Sequence, residues 1–315
     1  HDSIIMNQST VSGSRFSLDC QTARWSFCRV RRLLTIAACV TLGGAANSFS
    51  QSVEEVAEEL SASSDEHMRE ELGVNPITSP SIAGLLRDLE TFRPVPIKLI
   101  EATDHGASFG NRLQTALHFG SLVTDGFMFT IAERPQDVQN IGKELIRQSK
   151  ALGVGERLTK RSKSLLELSD KGDWLGMREE LVRTQEDVEQ SMMELHDEEM
   201  AHMISLGGWL RGFQLGATST VERFSKAKAA ILGRVEVVEY FLDRLDTLNP
   251  RLKETEMVTE FIKRIREIRL VLVETKGEPP TEEQVVKLKK LADAAEAVAT
   301  AKVDSEGRFL EKEKL

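Results

Sequence analysis

The segment NRLQTALHFGSLVTDGFMFTIA, Asn111 to Ala132, governs how the rest of the chain reads. Leu113, Ala116, Leu117, Phe119, Leu122, Val123, Phe127, Met128, Phe129 and Ile131 leave almost no polar side to it. An amphipathic surface helix shows one apolar stripe, whereas a helix apolar nearly all round is covered by neighbours on every side. This segment therefore predicts the central helix of a large helical core. Its only acid, Asp125, must find a partner once buried, because an unpaired polar group in an apolar interior is costly. Arg112, thirteen residues earlier, is the one base within the segment.

Outward from this helix the pattern stays helical. Pro135 suits the first turn of a second helix, where its missing N–H costs nothing, and Gly153 and Gly155 end that helix after Leu152. A further helix is expected over 156–170. Lys171-Gly172-Asp173 then forms a turn, with Asp173 capping a helix that starts at Trp174 and runs past Met203. Gly207-Gly208 should loosen it before a helical segment resumes to Arg223, and another helix is expected from Phe224 to Leu248. After Asn249-Pro250, residues Val258, Phe261, Ile265, Ile268 and Leu272 share a face. Thr281 with Gln284 makes a capping box for the returning helix. No stretch alternates with period two, so no sheet is expected. The fold class is all-α, a multi-helix bundle of about 7–9 helices with a C-terminal helical hairpin.

The organisation expected from composition is a leader over 1–50, an acidic arm and proline-containing linker over 51–96, a helical core over 97–249, the hairpin over 250–300 and a charged tail over 301–315. Arg29, Arg31 and Arg32 precede the apolar run Leu33 to Leu42, and small residues follow up to Ser48 and Ser50. A basic stretch, a short apolar stretch and a small-x-small site are the parts of a secretory signal, and the run falls short of the roughly 20 residues of a membrane span. Cleavage after Ser50 or Ser48 is expected. Met6 or Val30 could start such a leader, and a lipid anchor at Cys39 stands as an alternative. All three cysteines, Cys20, Cys28 and Cys39, precede the cut, so thiolate chemistry is excluded from the mature part. The expected location is periplasmic or secreted, with no transmembrane helix in the mature chain.

The whole chain has 41 basic and 50 acidic residues. Residues 1–50 hold five Arg and two Asp, so the mature part carries 36 − 48 = −12. That balance excludes a nucleic-acid backbone as partner.

Two motifs stand out. Gly208, Gly212 and Gly216 recur every four residues, as do Ala116 and Gly120, and a mid-helix glycine costs about 1 kcal/mol relative to Ala. The expected compensation is close helix packing, with Gly212 facing the helix that bears Gly120. The other motif is SMMELHDEEMAHM, 191–203, in which His196, Glu199, Met200 and Met203 fall on one face at about 100° per residue. Thioether and imidazole suit copper, although Met also fills cores. Glu199-Met-Ala-His202 matches half of a di-iron bundle motif, but no second half is present. Asp104, His105 and Ser108 have the residue types of a triad within a few positions of one loop, which reads as turn chemistry.

Asn111-Arg112, Phe119-Gly120, Asp125-Gly126 and Ser205-Leu206-Gly207-Gly208-Trp209 are similar to segments in a group of exported, all-helical bacterial proteins, across roughly 105–245. The resemblance implies an all-helical domain and carries no function. The expectation is thus an exported, non-enzymatic bundle without a cofactor, acting by binding a protein partner or as an envelope component. A small-ligand or copper-like metal protein using the Met/His face is the alternative, and an enzyme the third, to be marked by polar groups converging on Asp125 or His118. The leader yields a direct expectation: material sequenced from the cell envelope begins near Gln51. A mature chain that retains Cys20 or Cys28 overturns it.

Overall fold

The structure, a computed structural model, describes residues 82–310. The expected leader, its cleavage site, Cys39 and the acidic arm up to residue 81 lie outside the described residues. Twelve helices fill the described chain: α1 Ile82–Leu89, α2 Ile97–Glu101, α3 Arg112–Ile131, α4 Pro135–Leu152, α5 Gly155–Lys171, α6 Trp174–Glu194, α7 Glu198–Glu222, α8 Lys226–Leu232, α9 Val235–Asp246, α10 Pro250–Lys253, α11 Glu256–Glu274 and α12 Glu282–Ala299. Eight of them have twelve residues or more, as the all-α bundle requires. The described residues contain no strand, only a single bridge between Val303 and Phe309. None of their helices is long and apolar enough to cross a membrane.

At the centre α3 lies against α7. Eighteen of the twenty residues of α3 are buried, which is what its all-round apolarity demands. Around this pair stand α4, α6 and α12, with α5 outside α4, and α11 and α12 pack together as the C-terminal hairpin. Local chemistry fixes the helix starts. The Asn111 side chain accepts from the Leu113 N–H, Asp173 accepts from Gly176, and Thr281 and Gln284 form the full reciprocal capping box.

Several boundaries depart from the sequence reading, and the single helix expected from Phe224 to Leu248 divides into α8 and α9 at Gly233. The helix from Trp174 ends at Glu194, and the Gly207-Gly208 pair remains inside α7. His196 takes a left-handed conformation (φ 56°), the Asp197 N–H reaches back to the Met192 carbonyl and the His196 N–H to that of Met193. This is a helix-terminating motif usually built on glycine, so a histidine there hides the stop. The segment expected as linker up to residue 96 brings Leu86, Leu89 and Phe92 into the core. Finally, residues 301–310 of the expected tail fold back, with Met257 N–H donating to the Gly307 carbonyl and Phe309 buried.

Glycine makes the central crossing. A Cβ on Gly120 would stand 2.0 Å from the Ile204 carbonyl oxygen, and one on Gly207 would stand 2.0 Å from that of Leu117. Both obstacles are backbone, so neither can swing aside. Thr124 Oγ1 donates to the Gly208 carbonyl at 3.0 Å across the same seam, and Ala116 is fully buried one turn before Gly120. Of the expected ladder, Gly208 meets the Gly120 helix, its amide nitrogen 2.5 Å from where a Gly120 Cβ would stand, and Gly207 joins it there. The expectation for Gly212 is corrected: it reaches that helix only at Thr124 Cγ2, 3.9 Å from its Cβ. Gly212 faces Leu89 Cδ2, which would be 3.2 Å from its Cβ, and Gly216 faces the Phe92 ring at 2.7 Å.

Alanine substitutions separate these roles. Helix propensity alone makes every Gly→Ala change a gain of about 1 kcal/mol. Gly120→Ala and Gly207→Ala must instead separate two backbones, so each should lose about 2 kcal/mol or more in urea denaturation. Gly212→Ala, whose Cβ meets the tip of Leu89 and makes an ordinary contact with Thr124 Cγ2, should stay near wild type. A Gly207→Ala protein as stable as wild type overturns the close crossing.

Candidate functional site

The lone acid of α3 does not pair with Arg112, whose guanidinium reaches Asp197 and the Leu152 carbonyl instead. Its partner is Arg211, four residues past Gly207 on α7. Arg211 Nε donates to Asp125 Oδ1 at 2.7 Å and Nη2 to Oδ2 at 3.0 Å, with both side chains almost wholly buried. A planar fork against a carboxylate is the strong form of this contact. Arg211 also donates through Nη2 to Thr103 Oγ1 at 2.8 Å and through Nη1 to Gln214 Oε1 at 2.6 Å. Four of its five N–H groups are therefore committed within the protein.

Two histidines extend the cluster. His105, on the loop after α2, donates from Nε2 to Asp125 Oδ2 at 3.0 Å. His118, one helical turn before Leu122 on α3, donates from Nε2 to the His105 carbonyl at 3.1 Å. Both acceptors lack a proton, so each Nε2 must carry one. Burial holds the His118 pKa below its usual value, against the opposing pull of its bond to His105 and of the Asp125 charge. Its ring meets Phe109 edge to face, with centroids 5.2 Å apart.

On the far side, α12 supplies two acids from its alanine-rich run. Asp293 Oδ1 accepts from Gln214 Nε2 at 2.9 Å and its Oδ2 pairs with Lys289 at 2.7 Å. Glu296 is different. The residue is only partly buried, yet its Oε1 is shut off from solvent and has no hydrogen-bond partner among the described residues. Desolvation pushes its pKa up to about 7, with Arg211 pulling it down and Asp125 and Asp293 pushing it further up. A carboxyl that titrates near neutrality beside a specific set of charges is the pattern found at functional sites.

Thr103, His118, Arg211, Gln214, Asp293 and Glu296 line a cleft of about 610 Å³, walled also by parts of the 102–110 loop and by residues 300–303, with Asp125 and His105 behind the lining. Gln114 ties the last of these walls to α3 by donating to the Ala299 and Ala301 carbonyls, both at 2.9 Å. The cleft's hydroxyls are engaged. Ser108 Oγ receives Arg147, Thr103 lies between Arg211 and the Leu99 carbonyl, and Thr300 donates to the Glu296 carbonyl. No imidazole activates them, and Asp104, His105 and Ser108 do not form a relay: the acid of His105 is Asp125.

The residues singled out for metal are not brought together. Met200 and Met203 are buried in the core, Glu199 accepts from the Asn249 N–H, and His196 is exposed in the turn between α6 and α7. The one-face reading assumed an unbroken helix from 191 to 203, and the break at 195–197 removes that phase. His202 meets Tyr240 instead, ring centroids 6.4 Å apart. Among the described residues no group of three or more His, Cys, Asp or Glu side chains could hold a metal ion. No protein-family model, curated protein or solved structure matches this chain.

Arg211, Gln214, Asp293 and Glu296 were not read from the sequence. Arg211 carried a signal equal to that of Asp125, as the only base in the apolar part of α7.

The titration of Glu296 has a defined sign. A carboxyl whose folded pKa is about 7 keeps a proton that the unfolded chain, near the ordinary 4.5, has already lost. Stability therefore falls as pH rises from about 4.5 to about 7 and levels off above that. Glu296→Gln removes that loss. Chemical denaturation should find the variant close to wild type at pH 4.5 and on the order of 2 kcal/mol more stable at pH 8. Equal stability of the two proteins at pH 8 overturns the assignment.

Proposed function

We propose that this chain is an exported, non-enzymatic protein that binds a small polar molecule in the cleft between α3, α7 and α12. The observation that carries the reading is Glu296, whose Oε1 is desolvated and lacks a hydrogen-bond partner beside the bonded Asp125–Arg211 pair. Buried polar atoms are almost always satisfied, so an orphan beside a cavity calls for a ligand or a bound water. The cleft volume of about 610 Å³ suits a small molecule, since ligand pockets span roughly 300–1,000 Å³. Export is supported by the Arg-rich leader and by cysteines confined to it.

Binding is favoured over catalysis because the Thr103, Ser108 and Thr300 hydroxyls are bonded to guanidinium groups or carbonyls rather than to a base. It is favoured over a protein partner because the most exposed large apolar side chains are far apart in the chain: Leu175 and Leu195 at opposite ends of α6, Leu270 on α11 and Leu310 beyond α12. The expectation of a ligand site thus moves from the Met/His face to the Asp125 region.

Ala297 lines the same cleft, and Ala297→Trp would fill it. Native mass spectrometry of the full chain from its own envelope should show a retained small molecule on wild type that the Trp variant lacks. Identical ligand-free spectra, with no thermal shift from any small polar compound, overturn the reading.

A further inference from the structure

The chemistry the cleft leaves on offer is one-sided. Arg211 has committed four of its five N–H groups to Asp125, Thr103 and Gln214. Gln214 uses its oxygen on Arg211 and its amide on Asp293. Gln114 uses its amide nitrogen on two carbonyls, so what remains to it is an acceptor oxygen. His118 donates from Nε2 and its depressed pKa keeps the ring neutral, so its other nitrogen is also an acceptor. Glu296 adds a carboxyl with an unpartnered oxygen. A ligand here is met chiefly by acceptors.

The charge count agrees. Asp104, Asp293 and Glu296 line the cleft with Arg211 and Lys302, while Asp125 and Lys289 stand directly behind them. Four carboxyls face three cations, and Arg147 near the loop is itself neutralised by Glu144. With Glu296 ionised the site carries one uncompensated negative charge. Phe109, in the wall beside His118, adds an aromatic ring to the lining, a group with which organic cations interact favourably.

Building on the cleft-ligand reading, we propose that the molecule bound here is a small organic monocation whose ammonium group seats on the Glu296 carboxylate, with Gln114 and His118 as further acceptors. An ammonium brings three donors and one positive charge, which matches both the acceptor set and the charge deficit. An anion would meet a surplus of carboxylates and a guanidinium already occupied. The groups that face Glu296 are Arg211 from α7, Asp125 from α3 and Asp293 from its own helix, with His118, Asp104 and Lys302 lining the same space. Glu296, with a pKa of about 7, gains negative charge between pH 6 and 8, which favours a cation. Binding therefore expels a proton, and affinity rises with pH.

The test uses the full chain and titration calorimetry with ethanolamine and propylamine as cations, 1-propanol as neutral isostere and propionate as anion. The amines should bind, about tenfold more tightly at pH 8 than at pH 6, as a carboxyl with a pKa near 7 requires. Heats measured at pH 7 in buffers of different ionisation enthalpy should reveal proton release. Glu296→Gln should abolish both the binding and its pH dependence. Asp243→Asn, a change of the same charge at an exposed position outside the cleft, should alter affinity less than about threefold if local contact rather than general field decides. Preferential binding of propanol or propionate overturns the cation while leaving a ligand-binding cleft in place. Amines that bind equally well to the Gln variant, or with no pH dependence, overturn the role of Glu296. Failure of all four probes, with an Ala297→Trp protein indistinguishable from wild type in native spectra, overturns the cleft itself.

Discussion

The structure depends on two helix backbones touching. Where Leu117 and Gly120 of α3 meet Ile204 and Gly207 of α7 there is no room for a Cβ on either glycine. An ordinary helix pair keeps its axes about 8–10 Å apart, and the long side chains between them leave little reach for a polar contact. Here the backbones are in contact, and one turn further along Asp125 and Arg211 come together as a two-pronged pair. Removing one member of such a pair strands the other in an apolar interior, at about 3–5 kcal/mol. The pair is therefore tied to the crossing: a wider seam would separate the charges, and an unpaired charge would open the seam.

This arrangement also sets the chemistry beside it. Asp125 receives two N–H groups from Arg211 and a third from His105. Glu296, brought in from α12, arrives where the guanidinium has little left to give. The two acids share one cluster, yet one is fully donated to and the other is not. Two carboxyls in one site held in different surroundings can be driven to different protonation behaviour. In this protein the division follows from the commitments of Arg211, which spends four N–H groups on Asp125, Thr103 and Gln214, while Asp293 is supplied by Gln214 and Lys289.

Much of this was legible from short-range pattern and little from anything longer. The buried character of α3, the C-terminal hairpin and the Thr281–Gln284 capping box follow from residues within one or two turns of each other. Asp125 stood out because a lone acid in an apolar helix violates a local rule. Arg211 violates the same rule, but its meaning lay in an acid 86 residues away. Glu296 gave no local signal at all, because in an amphipathic helix of acids and lysines it is ordinary until α12 is docked. The Met/His face failed for a local reason. The left-handed position that ends α6 is held by His196, and a histidine does not announce a stop as glycine does. Gly207 was passed over because it stands outside the glycine repeat, the residues four and eight further on being Arg211 and Leu215.

A carboxyl left without donors makes the folded chain less stable near neutral pH than it would be with an amide in the same place. Nothing in the packing asks for an acid there, since α12 docks through Val285, Leu288, Ala292, Ala295 and Val298. Residues that lower stability without a packing reason are characteristic of sites where function needs the group. A bound cation would reverse the sign of the contribution, converting a desolvated charge into half of an ion pair and closing the acceptor set of Gln114 and His118 around it. The ligand would then stabilise the fold by mass action, binding the native state and not the unfolded one. The instability of the empty cleft and the affinity of the filled one are two readings of the same desolvated carboxyl.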